Sequence, residues 1–228
     1  TFPASARAVL AVEPAKLPAV QTRVSELEAA FRAEHAVSDP GLTLTVRSGN
    51  PAPSALTEAA GKTVVQFLQL VPNGIVSMSM DIPGLVQTSS NLGIFHVADG
   101  LLVARASVRS SVASEKEMLL ERFATLCALL GASMEITGNY PAWEYKRDSA
   151  LRDTMVRVFT EQYGHAPKIE AIHAGLECGL FSGKLPGLDC VSFGPDLVDI
   201  HTAREKMSIS SVQRTWKFLL GVLEALKD

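Results

Sequence analysis

Cysteine is scarce in this 228-residue chain, with three residues, Cys127, Cys178 and Cys190, at no CxxC spacing. An odd, scattered set excludes a disulfide framework or a zinc knuckle and fits the reduced thiols of a cytoplasmic protein. A basic surplus is missing too: 21 Lys and Arg stand against 24 Asp and Glu, for a net charge of -3. With no basic stripe there is no electrostatic footprint for nucleic acid. No apolar run approaches the length of a membrane span, so no membrane partner is expected. The opening TFPASARAVLAV lacks the basic start and sustained apolar stretch of a secretory signal. No HxxxH, HxD or Glu-Glu motif occurs anywhere. Thr stands at position 1 where Met is usual and leads almost directly into a strand-like segment, which gives the expectation of a fragment.

What is present is ordinary for a globular protein: 47% hydrophobic and 20% charged residues, enough for one large domain or two of moderate size. Arg7 to Glu13 reads as a strand ended by Pro14. Leu17, Val20, Val24, Leu27 and Phe31 recur at helical spacing within Lys16 to Ala36. Leu42 to Arg47, LTLTVR, alternates like a half-buried strand, and Leu56 to Val71 reads as an amphipathic helix. Val86 to Val97 and Leu101 to Val108 are predicted to pair as a hairpin across ADG. A helix follows with Ser114 as N-cap and Gly131 at its end, then a strand in ASMEITG. Antiparallel strands with helices on one face make an α+β layer.

NYPAWEYKRDS breaks the pattern, and a domain boundary is placed there, dividing residues 1–141 from 142–228. Beyond it, a helix from Ser149 to Tyr163, a strand PKIEAIHA, a turn and short helix at GLECGLF, a strand LDCVSFG and a helix from Ile209 to Leu226 alternate. That order suggests the end of a mostly parallel α/β sheet.

Three features could carry chemistry. IHAGLECG sets His173, Glu177 and Cys178 among glycines at the end of a predicted strand, where open α/β sheets place ligands. A Cys178–His173 nucleophile and base is one reading; a buried, inert thiol with Glu177 as polar anchor is the other. Arg105 and Arg109, four apart on a strand, share a face. Either could clamp a carboxylate, against the simpler alternative of a surface ion pair. His201 follows an apolar run and precedes TAREK. It reads as a metal ligand with Glu205 to orient it, or as a capping or exposed histidine, since one histidine alone does not hold zinc.

GIVSMSMDIPGLVQTSSNLG, VRSSVAS, IHAGLECGLF, PGLDCVSFGP, HTAREK and WKFLLGVLEAL occur in this order. Together they resemble the aminoacyl-histidine dipeptidases (Xaa-His dipeptidase, peptidase D), within a clan of dinuclear zinc peptidases. The likeness runs over essentially the whole chain. It implies an α/β catalytic domain interrupted by an α+β lid that also mediates dimerisation. Residues 1–141 would be the later part of the lid and 142–228 the returning C-terminal segment of the catalytic domain.

The resemblance further implies two zinc ions, a dipeptide substrate such as Xaa-His, a homodimer and a cytoplasmic location. The family's HxD motif, bridging aspartate, Glu-Glu pair, further acidic ligand and lid histidine are not in this sequence, so no catalytic residue is expected in it. His201 matches the last zinc ligand of the family, where an H-S-P-D-E pattern stands; here Thr202, Ala203 and Arg204 replace the middle three residues and Glu205 is kept. Asn91 and Arg109 match the lid asparagine and the arginine that holds the substrate carboxylate, and Glu177 is placed at the pocket. The rivals are a non-catalytic dimerisation or peptide-binding module, and a cysteine hydrolase using Cys178 and His173.

Overall fold

Local sequence sets where the helices start and stop, and contacts far along the chain decide which extended segments become strands. The computed structural model describes residues 3–49, 54–98, 100–171 and 176–227. Two compact units result, Pro3–Gln69 and the chain from Leu70 onward.

In the first unit a single 3-10 turn, Pro14–Lys16, leads into α1 (Leu17–Glu34). Pro18 sits in its first turn, where a missing N–H costs nothing. Leu17, Val20, Val24 and Leu27 are half-buried, as the helical spacing predicts, while Phe31 is exposed. α2 (Glu58–Leu70) follows. The segments 7–13 and 42–47 are extended but belong to no strand, contrary to the sequence expectation. Leu42 and Leu44 do turn inward, and the Leu44 N–H donates to the Glu28 carboxylate of α1 at 3.4 Å. A strand exists only through a ladder; here a helix side chain takes the place of a strand partner.

The second unit is built on an antiparallel sheet, β1 (Gly74–Met78), β2 (Val86–Ala98) and β3 (Leu101–Ser110), in that spatial order. The β2–β3 hairpin is the predicted one, while β1, a short segment at a sheet edge, was not anticipated. Register slips by one residue between Leu92 and Ile94, so Gly93 is a bulge. α3 (Ala113–Leu130) covers one face of this sheet. Leu119 is wholly buried, and Phe123 and Leu126 continue its stripe at helical spacing. The N-cap is Val112, not Ser114, and Glu144 accepts the Ala113 N–H at 3.2 Å in place of a capping hydroxyl. Gly131 closes the helix in the left-handed conformation, φ 65°.

Glu115, in the first turn of α3, fastens the helix to two strands. Its carboxylate accepts from Ser77 at 2.5 Å and Gln87 at 2.8 Å, and also from Thr88. The Ser77 bond, followed by that of Thr88, holds the carboxyl below its ordinary value against the opposing effect of burial, with Gln87 adding to the lowering.

Residues 132–138, 167–171 and 188–194 are not strands either; the remainder of PKIEAIHA, with His173, lies outside the described residues. The predicted parallel sheet is therefore not formed among the described residues. The helices there are as expected: α4 (Ala150–Tyr163), capped by Ser149, a short α5 (Glu177–Lys184), and α6 (Ile209–Ala225), capped by Ser208. Met155 and Val158 of α4 pack on Phe218 and Val222 of α6. Phe159 and Phe193 meet Phe218 edge-on at ring-centroid distances of 5.5 and 5.3 Å. A two-residue hairpin, β4 (Leu197–Val198) with β5 (Lys206–Met207), precedes α6. Among the described residues no helix is long and apolar enough to cross a membrane.

A carboxylate with a lowered folded pKa contributes stability above its unfolded value and loses it as the pH falls through the folded one. Glu115→Ala is therefore expected to lower stability at neutral pH by about 2 kcal/mol, the scale of a hydrogen-bonded charged group. The variant should also flatten the acid limb of a plot of Tm against pH below about 4.5, the ordinary carboxyl value. Differential scanning calorimetry of both proteins from neutral to acid pH checks it; parallel acid limbs would refute the role of Glu115.

Candidate functional site

Directly paired residues of an antiparallel sheet project to the same face, and neighbours along a strand to opposite faces. Thr88 pairs with Ser110 and Ser90 with Val108. Thr88 and Ser90 are buried, and Thr88 bonds to Glu115, so this is the face α3 covers. Ser89 pairs with Arg109 and Asn91 with Ser107, on the opposite face. Asn91 and Arg109 are thus diagonal neighbours across β2 and β3, about 7–8 Å apart at the backbone. Asn91 is half-buried, Arg109 is exposed, and both interact with other groups of the protein.

A guanidinium fork next to a carboxamide suits a carboxylate ligand, since the fork donates two parallel N–H bonds and the amide a third. Arg105 projects from the same face, as its spacing predicts. Four extended residues separate it from Arg109, about 13 Å, too far for both to hold one carboxylate.

His201 occupies the loop joining β4 to β5. Its backbone is left-handed at φ 65°, as is that of Asp199 at φ 53°, a region that non-glycine residues seldom adopt. The loop closes on itself to hold this shape. Thr202 donates to the Asp199 carbonyl from both its N–H (3.2 Å) and its hydroxyl (2.7 Å). The Glu205 N–H donates to the Thr202 carbonyl at 3.1 Å, and the Glu205 carboxylate accepts the His201 N–H, also at 3.1 Å. Glu205 thus orients His201 through the main chain, where the sequence reading placed it beside the ring. His201 caps no helix, and the run before it is exposed, not a buried strand: Leu197, Val198 and Ile200 all face solvent. Its ring stands exposed on a tied loop.

Glu177 is the first residue of α5 and is exposed. Below it the helix packs closely: a Cβ added at Gly179 would lie 2.9 Å from the Pro141 carbonyl oxygen. Cys178, by contrast, is half-buried. Burial, and then the neighbouring Cys190, push its thiol above the ordinary value, opposite to what an activated nucleophile requires. Its candidate base, His173, lies outside the described residues.

The structure brings Asn91 and Arg109 together, and holds Glu177 and His201 on separate elements. Among the described residues no three His, Cys, Asp or Glu side chains gather as a metal site would require. The residues present therefore do not by themselves fit a zinc site. Sequence reading passed over Asp189, whose carboxylate accepts from the Ser149 hydroxyl (2.7 Å) and the Leu151 N–H (3.1 Å) at the start of α4. Burial acts against ionisation there, but those two bonds, with Lys146 and Arg152 nearby, lower its pKa overall. A single Asp in an otherwise apolar segment, LDCVSFG, was the available signal.

No protein-family model matches the chain. It is 30% identical over 225 residues to the cytosol non-specific dipeptidase of Escherichia coli (strain K12), covering 99% of this chain and 46% of that protein. Its fold superimposes on the crystal structure of aminoacylhistidine dipeptidase from Vibrio alginolyticus with a TM-score of 0.83 at 29% identity, over 92% of this chain and 44% of the other. Aminopeptidase PepT from Bacillus cereus shares the fold at a TM-score of 0.59, 18% identity, with 74% of this chain and 46% of that one covered. The chain spans about half the length of the relatives it matches. In sequence and fold alike, the chain is similar to the cytosol non-specific and aminoacylhistidine dipeptidases, over a little under half of their length.

Proposed function

We propose that the chain is part of a cytoplasmic, zinc-dependent dipeptidase that hydrolyses Xaa-His and other dipeptides. In this reading residues 1–141 belong to the lid and 142–228 to the catalytic domain, and two copies associate through the lid. The observation that carries it is the placement of Asn91 and Arg109 side by side on the open face of a sheet, in a chain whose whole length aligns with a dipeptidase. The word cytosol in that relative's name supports the location.

The roles follow from the side chains. Arg109 binds the substrate's C-terminal carboxylate bidentately, and Asn91 donates to it or to the adjoining carbonyl. A longer peptide puts a neutral amide where the carboxylate should be and leaves the guanidinium unpaired, which favours dipeptides. Glu177, a carboxylate at the mouth of α5, faces the free amine. His201 contributes one ligand to a metal centre completed by residues outside this sequence, and the loop tied by Glu205 fixes the direction in which the ring points.

Three outcomes are expected. The purified 228-residue chain should retain no stoichiometric zinc after dialysis and cleave no dipeptide. Metal-dependent hydrolysis of carnosine by this chain, followed by amino-acid analysis, would sink the fragment reading, and an upstream reading frame lacking HxD and Glu-Glu motifs would do the same. In the complete enzyme, Arg109→Ala should lower kcat/KM for a dipeptide about 10- to 100-fold, the loss expected of a charged hydrogen bond, and mainly through KM. Activity on the same dipeptide with an amidated C-terminus should change little; an equal loss on both substrates would refute carboxylate binding. Glu205→Ala should leave the Tm within about 1 kcal/mol equivalent of wild type while the His201 amide loses protection in hydrogen exchange. Unchanged exchange at His201 would show that Glu205 does not hold the loop.

A further inference from the structure

Between α3 and α4 the chain from Asn139 to Arg147 forms no helix or strand, yet it is held from both sides. On the side of the sheet, the Lys116 ammonium in the first turn of α3 donates to the Asn139 side-chain oxygen at 2.9 Å and to the Tyr140 carbonyl at 2.5 Å. Glu144 accepts the Ala113 N–H at 3.2 Å, and Arg147 donates to Asp81, in the loop between β1 and β2, at 2.7 Å. On the side of the helices, the Arg152 guanidinium of α4 donates to the Lys146 carbonyl at 2.6 Å and also to the Arg147 carbonyl. The same guanidinium lies over the Tyr145 ring, 5.1 Å from its centroid.

The middle of this segment rests on α5. Gly179 and Gly183, four apart on that helix, lie on one face of it. A Cβ at Gly179 would stand 2.9 Å from the Pro141 carbonyl oxygen and 3.5 Å from the Trp143 Cβ; one at Gly183 would stand 3.0 and 3.1 Å from the Pro141 ring. The two glycines thus form a smooth seat, and a side chain at position 179 would push helix and segment apart. Gly179 is buried and lies within one turn of Glu177, so the seat is at the end of α5 that displays that carboxylate.

We propose that Asn139–Arg147 is a positioning strap, which holds α5, and with it Glu177, against the sheet that carries Asn91 and Arg109. In the complete enzyme the strap sets the distance between the group that faces the substrate's amine and the group that holds its carboxylate. It thereby sets the length of peptide that fits. Its residues act through the elements they hold and need not touch substrate. Gripping both ends of a substrate aids reaction only at the right spacing, and an error of about 1 Å costs on the order of 100-fold in rate. The roles of Glu177 and Arg109 rest on the dipeptidase reading, whereas the strap itself rests on the contacts above.

Two variants loosen the strap from opposite sides. Lys116→Met keeps the apolar stem and removes the ammonium, and Gly179→Ala sets a Cβ against Pro141. In the 228-residue chain, the Leu185 amide, bonded to the Phe181 carbonyl at the end of α5, should exchange with deuterium about 5- to 30-fold faster in each variant, since exchange reads local opening. In the complete enzyme, the preference in kcat/KM for dialanine over trialanine should fall about tenfold, with the loss on dialanine mainly in KM. Unchanged exchange at Leu185 in Lys116→Met would overturn the strap. Faster exchange with an equal loss on both peptides would overturn its role in setting length. A wild-type enzyme that cleaves no dipeptide would remove the peptidase reading and the length role together, and the exchange result would still decide whether the strap holds α5. Lys116→Met carries the test even if Gly179→Ala fails to fold.

Discussion

The Glu115 carboxylate accepts hydrogen bonds from Ser77 on β1 and from Gln87 and Thr88 on β2, and this one contact decides which face of the sheet is covered. Thr88 is wholly buried, which is tolerable only because its hydroxyl is bonded, to Glu115 and to Ser110. Ser110 in turn accepts the Val112 N–H at 3.0 Å, so the junction from β3 into α3 is continuous with the same network. Leu119, one turn further along α3, then seals the apolar side. A carboxylate in the first turn also suits the positive end of the helix. With one face committed to α3, the strand alternation leaves Asn91 and Arg109 on the other.

The same device recurs at the other loops that matter. Asp189 accepts from Ser149 and Leu151 and fixes the start of α4. Glu144 meets the first N–H of α3, and Glu205 meets the His201 N–H. In each case an acid satisfies a backbone or hydroxyl group that local structure leaves open, from far along the chain for Asp189 and Glu144 and from within the same loop for Glu205. These anchors give a chain with few fully buried apolar residues its defined loops. The candidate ligand-binding side chains stand on elements held in this way, with the charged tips of Arg109 and Glu177 and the ring of His201 exposed.

The helices were legible because their signals are local. Ser149 before an apolar-periodic run, Gly131 after one, and the spacing in 209–226 each describe a structure that bonds to itself within four residues. The strands were legible only for the hairpin, where ADG brings both partners within reach. RAVLAVE, LTLTVR, ASMEITG and LDCVSFG carry strand-forming residues but no strand, since their backbone groups find no ladder among the described residues. β1 was missed for the converse reason: GIVSM is short and weakly patterned, and pairing with β2 makes it a strand. For the site, spacing and local pattern raised Arg109 and His201 only as candidates beside simpler readings, and likeness to a family chose between those readings and added Asn91.

By itself the sequence determined where the helices lie, the β2–β3 hairpin and the resemblance to dipeptidases, because caps, turn residues and long motifs act over a few neighbouring positions. Only the tertiary structure decided that Asn91 and Arg109 share the open face and that Glu205 grips the His201 backbone. Each of these depends on register or on a chain reversal, and a shift of one residue in either would turn every side chain concerned to the opposite side.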